Sequence, residues 1–325
     1  MNTVTTARPS NAADGGARPE AARPLISVVV ATCNRPAVLA ETLEALSAER
    51  QQVPADSYEV IVADDSRTDA TRVMVAERFP RVVYVKGPRR GPASNRNRGA
   101  ATASGAWVAF IDDDCRPIGG WLQALAEQAR RGEVDVVEGQ IVVPDKHDSP
   151  FRRYVENLSG GNFWSGNLAI RRDLFFRLGA FDEDFLEAGG EDMEFGERIR
   201  RSTARTAFST GATVVHPSHV VSWRYLFWRT FLIKWHLLYL LKTGQSAPAD
   251  ASALRAALRV TVTRTVALVR TTARSITLRE TATPRTMVFD LVWQWVTFPV
   301  VLVYLTYWEL EFRRQLRERD GARPA

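Results

Sequence analysis

The run Trp107-Val108-Ala109-Phe110-Ile111 ends in three consecutive carboxylates, Asp112, Asp113 and Asp114, and this junction constrains the fold more than any other stretch of the 325-residue chain. The apolar residues Val108 to Ile111 predict a short strand buried on both faces. Adjacent carboxylates beyond its end repel, since two of them about 4 Å apart cost roughly 4 kcal/mol at an effective dielectric near 20. Such a cluster calls for a cation, for protonation or for full exposure to water. Hard oxygen ligands suit Mg2+ or Mn2+, ions that also hold phosphates. A solvated acidic turn is the plain alternative.

The preceding sequence repeats this strand-then-polar pattern. Leu25 to Ala31 (LISVVVA) is a continuous apolar, β-branched run, followed by the polar loop Thr32-Cys33-Asn34-Arg35. Pro36 then suits the first position of a helix, and Val38, Leu39, Thr42, Leu43 and Leu46 keep helical spacing. Tyr58 to Ala63 (YEVIVA) ends in Asp64-Asp65-Ser66-Arg67-Thr68-Asp69, with Asp69 placed to cap a following helix. Val82 to Lys86 predicts a third strand, and a helix around 94–103 leads into the central one. Alternating strands and helices predict an α/β fold with a mostly parallel sheet covered by helices on both faces. Ligands of such sheets bind beyond the carboxyl ends of the strands, where Thr32–Arg35, Asp64–Asp65 and Asp112–Asp114 all fall. A receiver-type acidic pocket would share this edge but would leave the downstream half of the chain unexplained.

Arg89, Arg90, Arg96 and Arg98 surround Asn95 and Asn97 before the central strand. With the dipole of a helix over 94–103 they would form an anion site, unless they are simply a solvated face. The formal charge of +6 also points to an anionic partner: nucleotide, lipid head group or nucleic acid. Two cysteines, Cys33 and Cys115, indicate no disulfide framework. Residues 1–24, with Pro9, Pro19 and Pro24 among small polar residues, read as a disordered tail without a signal-peptide core.

Further on, Gly160-Gly161-Asn162-Phe163-Trp164-Ser165-Gly166-Asn167 permits close backbone approach to a ligand beside an aromatic stacking face, though a tight turn would look similar. Trp164, Gly166 and Asn167 are its candidate acceptor or sugar contacts. Glu191-Asp192 opens a predicted helix on which Asp192, Phe195 and Ile199 share one face while Glu194 and Glu197 point elsewhere. An acid on an apolar stripe needs a partner or a purpose; a carboxylate stabilised by the helix dipole is the bland reading. His216, after a predicted strand, would complete a metal site with Asp114 as a neutral imidazole, or be a packed core residue. His219 has less to recommend it.

From Val220 the character changes, marking a boundary between a domain over 25–219 and a helical, aromatic and Arg-rich region over 220–325. Arg224, Arg229 and Lys234 distribute charge around a helix, which suits either a membrane interface or packing on the preceding domain. Residues 251–285 contain seven Arg and one Glu, and Arg255, Arg259, Arg270 and Arg274 would share a basic face suited to anionic lipid. The uncharged run from Leu291 to Trp308 has the length of a membrane span, but Asp290, Gln294 and Pro299 argue for a re-entrant or in-plane helix.

Several of these segments together resemble the inverting glycosyltransferases of family 2 with the GT-A fold: Val30-Ala31-Thr32-Cys33-Asn34-Arg35, Val62 to Asp69, Gly91 to Gly99 (GPASNRNRG), Phe110 to Asp114, Ser165-Gly166-Asn167 and Glu191-Asp192, spanning about residues 25 to 217. Ser66 stands where the family has glycine. The resemblance implies nucleobase and ribose contacts for Thr32, Asn34, Asp64 and Arg96, sugar-nucleotide contact for Asp112, a metal ligand in Asp114 and a catalytic base in Asp192. Asp113 is the variable middle residue. Arg35, Asp65 and Asp113 complete the candidate nucleotide-sugar-binding set, and Glu191 is the second catalytic candidate. The implied enzyme uses Mg2+ or Mn2+ and a UDP-linked donor and acts on a glycan or lipid-linked acceptor, in cell-envelope glycan synthesis; the basic and aromatic tail, which is not universal in the family, adds the expectation that it works at the cytoplasmic face of an anionic membrane. A nucleotidyltransferase would be expected to carry a glycine-rich phosphate loop after the first strand, which is missing. A non-catalytic, membrane-anchored module would have no need of both Asp114 and Asp192. Nucleic-acid binding is disfavoured because the basic residues of the tail alternate with long apolar runs.

Overall fold

In a computed structural model, which describes residues 23–146, 151–245, 262, 266 and 284–321, each apolar run expected to be a strand is one. In chain order the elements are β1 (Ile26–Thr32), α1 (Pro36–Ala45), α2 (Ala48–Gln51), β2 (Tyr58–Asp64), α3 (Ala70–Arg78), β3 (Val83–Lys86), α4 (Pro92–Thr102), β4 (Trp107–Asp112), β5 (Arg116–Pro117), α5 (Trp121–Arg131), β6 (Val136–Val142), β7 (Arg152–Arg153), β8 (Asn167–Arg171), α6 (Arg172–Arg177), α7 (Glu191–Arg201), β9 (Thr206–Val215), β10 (His219–Val220), α8 (Trp223–Thr230), α9 (Ile233–Lys242) and α10 (Pro284–Gly321). The main sheet has the order β3-β2-β1-β4-β8-β6-β9-β5. Its first half is parallel, as expected from the βα units. Strand β8 breaks the pattern by running antiparallel to both β4 and β6.

Register places the functional edge. Thr32 pairs with Asp64, Ala31 with Asp112 and Asp64 with Lys86, so the polar ends of β1, β2 and β4 lie level. Val28, Val30, Ala109 and Ile111 face one layer, with Leu39, Leu43, Trp121 and Leu125 of α1 and α5. Val29, Val108 and Phe110 face the other, with Ala93 and Ala100 of α4, Phe175 of α6 and Phe195 of α7. Phe110 contacts the rings of Phe175 and Phe181, each at 5.1 Å between centroids. Burial on both faces explains why β4 carries no alternation in its apolar residues.

Pro36 does open α1. Asp69 stands at the start of α3 but makes no capping bond, its carboxylate going to Arg72 at 3.2 Å instead. The basic candidates Arg255, Arg259, Arg270 and Arg274, and residues 1–22 of the expected tail, lie outside the described residues. The 220–242 stretch divides into α8 and α9 rather than one helix. Pro299 does not turn the chain back as a re-entrant segment would: α10 runs through it for 38 residues, about 57 Å. Its far half packs on α9, with Leu305 against Ile233 and Leu237, and Phe312 beside Trp235 and Leu238. No helix among the described residues is long and apolar enough to cross a membrane.

Candidate active site

At the level edge of the sheet the three Asp residues after β4 separate into different environments. Asp113 is wholly buried, accepting from the Thr32 hydroxyl at 2.6 Å and from the Arg35 guanidinium. Its backbone carbonyl also accepts from Thr42 at 2.7 Å, so it braces the loop from beneath. Burial pushes its carboxyl up to about 6 against the opposing pull of Arg35. Asp113, expected among the nucleotide-sugar contacts, is instead a buried brace of the loop, and Thr32 spends its hydroxyl on it.

Asp114 is buried as well but faces two imidazoles. Burial raises its pKa, but a hydrogen bond with His219 and the charges of Arg35 and His216 outweigh that, and the carboxyl is held well below its usual range. His219 Nε2 lies 3.3 Å from one oxygen of Asp114 and His216 Nε2 lies 3.7 Å from the other. His216 Nδ1 is 2.9 Å from the carbonyl of Pro217, which can only accept. With Nδ1 held on that carbonyl, Nε2 faces Asp114: protonated, it pairs with the carboxylate, and on losing that proton it presents a lone pair there, the orientation found where a histidine serves a metal. Donor atoms of Asp112, Asp114, Cys115 and His216 lie within 4.8 Å of one another. Burial pushes the Cys115 thiol well up, so it remains protonated and contributes little to a hard cation. Two carboxylates and one imidazole fit Mg2+ or Mn2+.

A second group of carboxylates meets the first through Arg96. Its guanidinium donates to Asp112 at 2.8 Å and to Glu191 at 3.1 Å, and lies 5.9 Å from the Phe181 ring centroid. Burial works against this charge, but Asp112, Asp192 and Glu191 outweigh it and raise the pKa above that of an ordinary arginine. The pooled anion site expected around α4 is thus not formed: Arg96 is buried on carboxylates, Arg89 donates to the Ser66 carbonyl and Arg90 pairs with Glu183. Glu191 also accepts from the Gly189 amide at 2.9 Å. Asp192 has a different standing. Burial, then the charge of Glu191, push its carboxyl up to about 7. Its Oδ1 and the Ser165 hydroxyl are buried and make no hydrogen bond of regular geometry, although the hydroxyl lies close enough to draw the carboxyl's pKa down against burial. Phe195 and Ile199 are buried beside it as the helical spacing predicts, but Glu194 is buried too, neutralised by Arg198 at 2.5 Å.

The first two loops are stitched to each other. Asn34, at a left-handed φ of 57°, donates its amide to the Ser66 hydroxyl at 2.6 Å and accepts from the Arg67 amide at 3.1 Å. Ser66 in place of glycine thus supplies a tie between loops. Asp64 is turned inward, accepting from Tyr84 at 2.8 Å and from the Ser66 amide at 2.8 Å. Asp65 remains partly exposed, with one oxygen on the Arg89 amide. Of the glycine-rich segment, Gly166 approaches Asp112 so closely that a Cβ there would lie 3.1 Å from its carboxylate. Trp164 is half-buried against the core. Asn167 departs from the expected sugar contact: it accepts from Trp121 at 2.9 Å and donates to the carbonyls of Gln140 and Ala212, which leaves it in the framework.

Two further residues belong to the site region. Glu138, on β6, accepts from the amides of Gly161, Asn162 and Phe163 and from the Asn157 side chain, at 2.6 to 2.9 Å, and so fixes the Gly160–Asn167 loop. It sits in an ordinary apolar strand pattern, without a local signal. His219 was within reach of sequence reasoning, as a second imidazole three residues beyond His216.

Comparison with known proteins agrees with this geometry. The model of glycosyl transferase family 2 matches residues 27–206. A validoxylamine A glucosyltransferase from Streptomyces hygroscopicus subsp. jinggangensis (strain 5008) is 33% identical over 218 residues, 54% of this chain and 51% of that protein. The succinoglycan biosynthesis protein ExoM of Rhizobium meliloti (strain 1021) is 31% identical over 208 residues, 59% of this chain and 66% of that protein. The chain spans about half the length of the Streptomyces relatives it matches. Among solved structures, the mannosyltransferase PcManGT from Pyrobaculum calidifontis, in complex with GDP-Man and Mn2+, has a TM-score of 0.54 at 20% identity, covering 89% of this chain and 87% of that one. The sheet order, the level carboxylate edge and the match over 27–206 lead to one conclusion: the chain belongs to glycosyl transferase family 2 and has the GT-A fold.

Proposed function

We propose that this chain is an inverting glycosyltransferase that moves a sugar from a UDP-linked donor onto a hydroxyl of a glycan or lipid-linked acceptor. The observation that carries this reading is the pairing of two carboxylate groups across Arg96. One of them, around Asp114 and His216, suits a divalent cation; the other offers Asp192 Oδ1, buried and without a regular hydrogen bond, with a pKa near 7. Inversion needs one base and one stabiliser of the leaving diphosphate. Asp192 takes the proton of the acceptor hydroxyl as that oxygen bonds to the anomeric carbon and the bond from this carbon to the diphosphate oxygen breaks. The Ser165 hydroxyl stands beside it to orient the acceptor. When bound, Mg2+ or Mn2+ on Asp112, Asp114 and His216 supplies positive charge to the diphosphate. Arg96 ties Asp112 to Glu191, and Gly166 leaves room for the donor sugar against Asp112, with Trp164 at its side. Asn34, Arg35 and Asp65 line the entry for the nucleoside, while Thr32, Asp64 and Asp113 brace that wall from behind. The GDP-Man and Mn2+ of the mannosyltransferase of the same fold, and the sugar-transfer names of the relatives, support a nucleotide-sugar donor and a divalent cation.

The acceptor is placed at an anionic membrane surface, on its cytoplasmic face. Val220, Phe227 and Trp228 are exposed, and along α10 Val292, Val296, Val300, Val303, Tyr307 and Leu310 form an exposed stripe at helical spacing. A thermal-shift screen of nucleotide sugars with Mn2+, followed by transfer assays with the donor that stabilises most, tests the reaction; stabilisation by none of them counts against it. Co-sedimentation with anionic vesicles tests the surface, and Phe227→Ser with Trp228→Ser should abolish it at low salt. Undiminished sedimentation of that variant would remove the membrane role from α8.

A further inference from the structure

The nine residues that join Phe181 to Glu191 run between the start of α4 and the helical tail, and both sides grip them. On the inner side, the Leu186 carbonyl lies against Gly91, where there is no space for a side chain. On the same inner side Glu183 pairs with Arg90 at 3.4 Å and accepts from Asn97 at 3.1 Å, while on the outer side the tail meets Asp182, Asp184, Phe185 and Glu187. Lys242, at the end of α9, donates to Asp182 and, at 2.5 Å, to Asp184. Arg319, near the end of α10, donates to Asp184 as well. Trp235 Nε1 donates to Glu187 at 3.1 Å, with Lys234 at 3.7 Å from the same oxygen. Phe185 is fully buried beside Trp235, ring centroids 6.0 Å apart.

The contact reaches the residue immediately before the helix that carries Glu191 and Asp192. Gly190, at a φ of 148°, precedes α7, and a Cβ there would lie 2.6 Å from the Phe185 ring and 3.2 Å from the Trp235 carbonyl. Displacement of α9 by a side chain's width therefore moves Gly190, and with it the carboxylates that follow.

We infer that α9 and the far half of α10 are a positioning element of the active site, in which Lys242 and Arg319, through Asp182 and Asp184, hold the loop that sets Glu191 and Asp192. These are positioning residues, since none touches the site itself. The consequence for turnover rests on the role given to Asp192 above; the positioning does not. It also assigns the tail two separate faces: one on the catalytic loop, one exposed.

The test uses the full chain and hydrogen exchange. In the double variant Lys242→Met, Arg319→Met, amides of residues 183–195 should exchange at least tenfold faster, while those of β1 and β4 keep their protection. Asp184→Asn, which removes the charge both cations share, should reproduce the effect, and Lys242→Arg should restore slow exchange. Binding of UDP with Mn2+ should stay within twofold, because the residues around the nucleoside entry lie at the ends of β1, β2 and β4. Unchanged exchange over 183–195 would overturn the inference, and so would a rise shared equally by β1 and β4, which would mean general loosening. Neither readout needs sugar transfer, so failure of the transferase reading would leave this result standing.

Discussion

Replacing Arg96 with methionine removes a buried positive charge from among three carboxylates while keeping most of the side-chain volume. The guanidinium bonds to Asp112 at 2.8 Å and Glu191 at 3.1 Å, and its charge also acts on Asp192. Removing one partner of a buried ion pair costs about 3–5 kcal/mol, because the other charge is left unsolvated. At about 2–4 °C per kcal/mol for a domain of this size, the melting temperature should fall by about 6–20 °C. Arg96 also lowers the pKa of Asp192 against the rise caused by burial and Glu191. Its loss should therefore move the acidic limb of the rate profile upward by about 1–3 pH units. Arg96→Lys keeps the charge but cannot bridge both carboxylates, and should fall between. Thermal unfolding in metal-free buffer measures the first effect, and nucleotide-sugar turnover across pH 5–9 the second. A melting temperature within about 2 °C of the parent and an unmoved acidic limb would refute the view that Arg96 neutralises this cluster.

Turnover of the parent enzyme should rise about tenfold per pH unit up to about 7, where burial places the Asp192 carboxyl, and flatten above it; a flat profile between pH 5 and 7 would exclude Asp192 as the titrating base. Asp114→Asn should abolish the Mn2+-dependent part of UDP binding measured by calorimetry, and His219→Ala should weaken it about 10-fold, whereas equal binding in all three proteins would remove both residues from the cation site. Glu138→Ala strands three amides and the Asn157 side chain; urea unfolding should show a loss of at least about 3 kcal/mol, and a loss below 1 kcal/mol would mean the loop finds other partners.

The layout of this site was legible because a βα unit delivers its polar loop to one edge of the sheet. The runs before Thr32, Asp64 and Asp112 have the length and β-branching of buried strands, so their ends were fixed by pattern alone. Direction was less accessible. Asp112, Asp113 and Asp114 are neighbours in sequence, yet the turn after β4 buries Asp113 under Thr32 and Arg35 while Asp114 meets the imidazoles. The same holds for Asp64, which faces Tyr84, a partner on β3 that no local pattern announces. Asn167 looked like a ligand group beside glycines, but β8 enters the sheet antiparallel, and its first side chain falls among Trp121, Gln140 and Ala212. That strand reversal is a long-range event, set by how the chain returns between β4 and β6. Glu138 and the grip of the tail on residues 181–190 were missed for the same reason: their partners lie far away in sequence and leave no spacing to read. His219 needed only the turn at Pro217, which folds it back beside His216.

The central claim is that Asp192 accepts the proton of the attacking hydroxyl. Its most direct test compares Asp192→Asn with the parent for turnover and for donor affinity in the same preparation. The asparagine keeps shape but cannot take the proton, so turnover should fall about 100-fold or more while donor affinity stays within about twofold. Near-normal turnover by Asp192→Asn, with the true donor and acceptor supplied, would contradict the account and pass the role to Glu191.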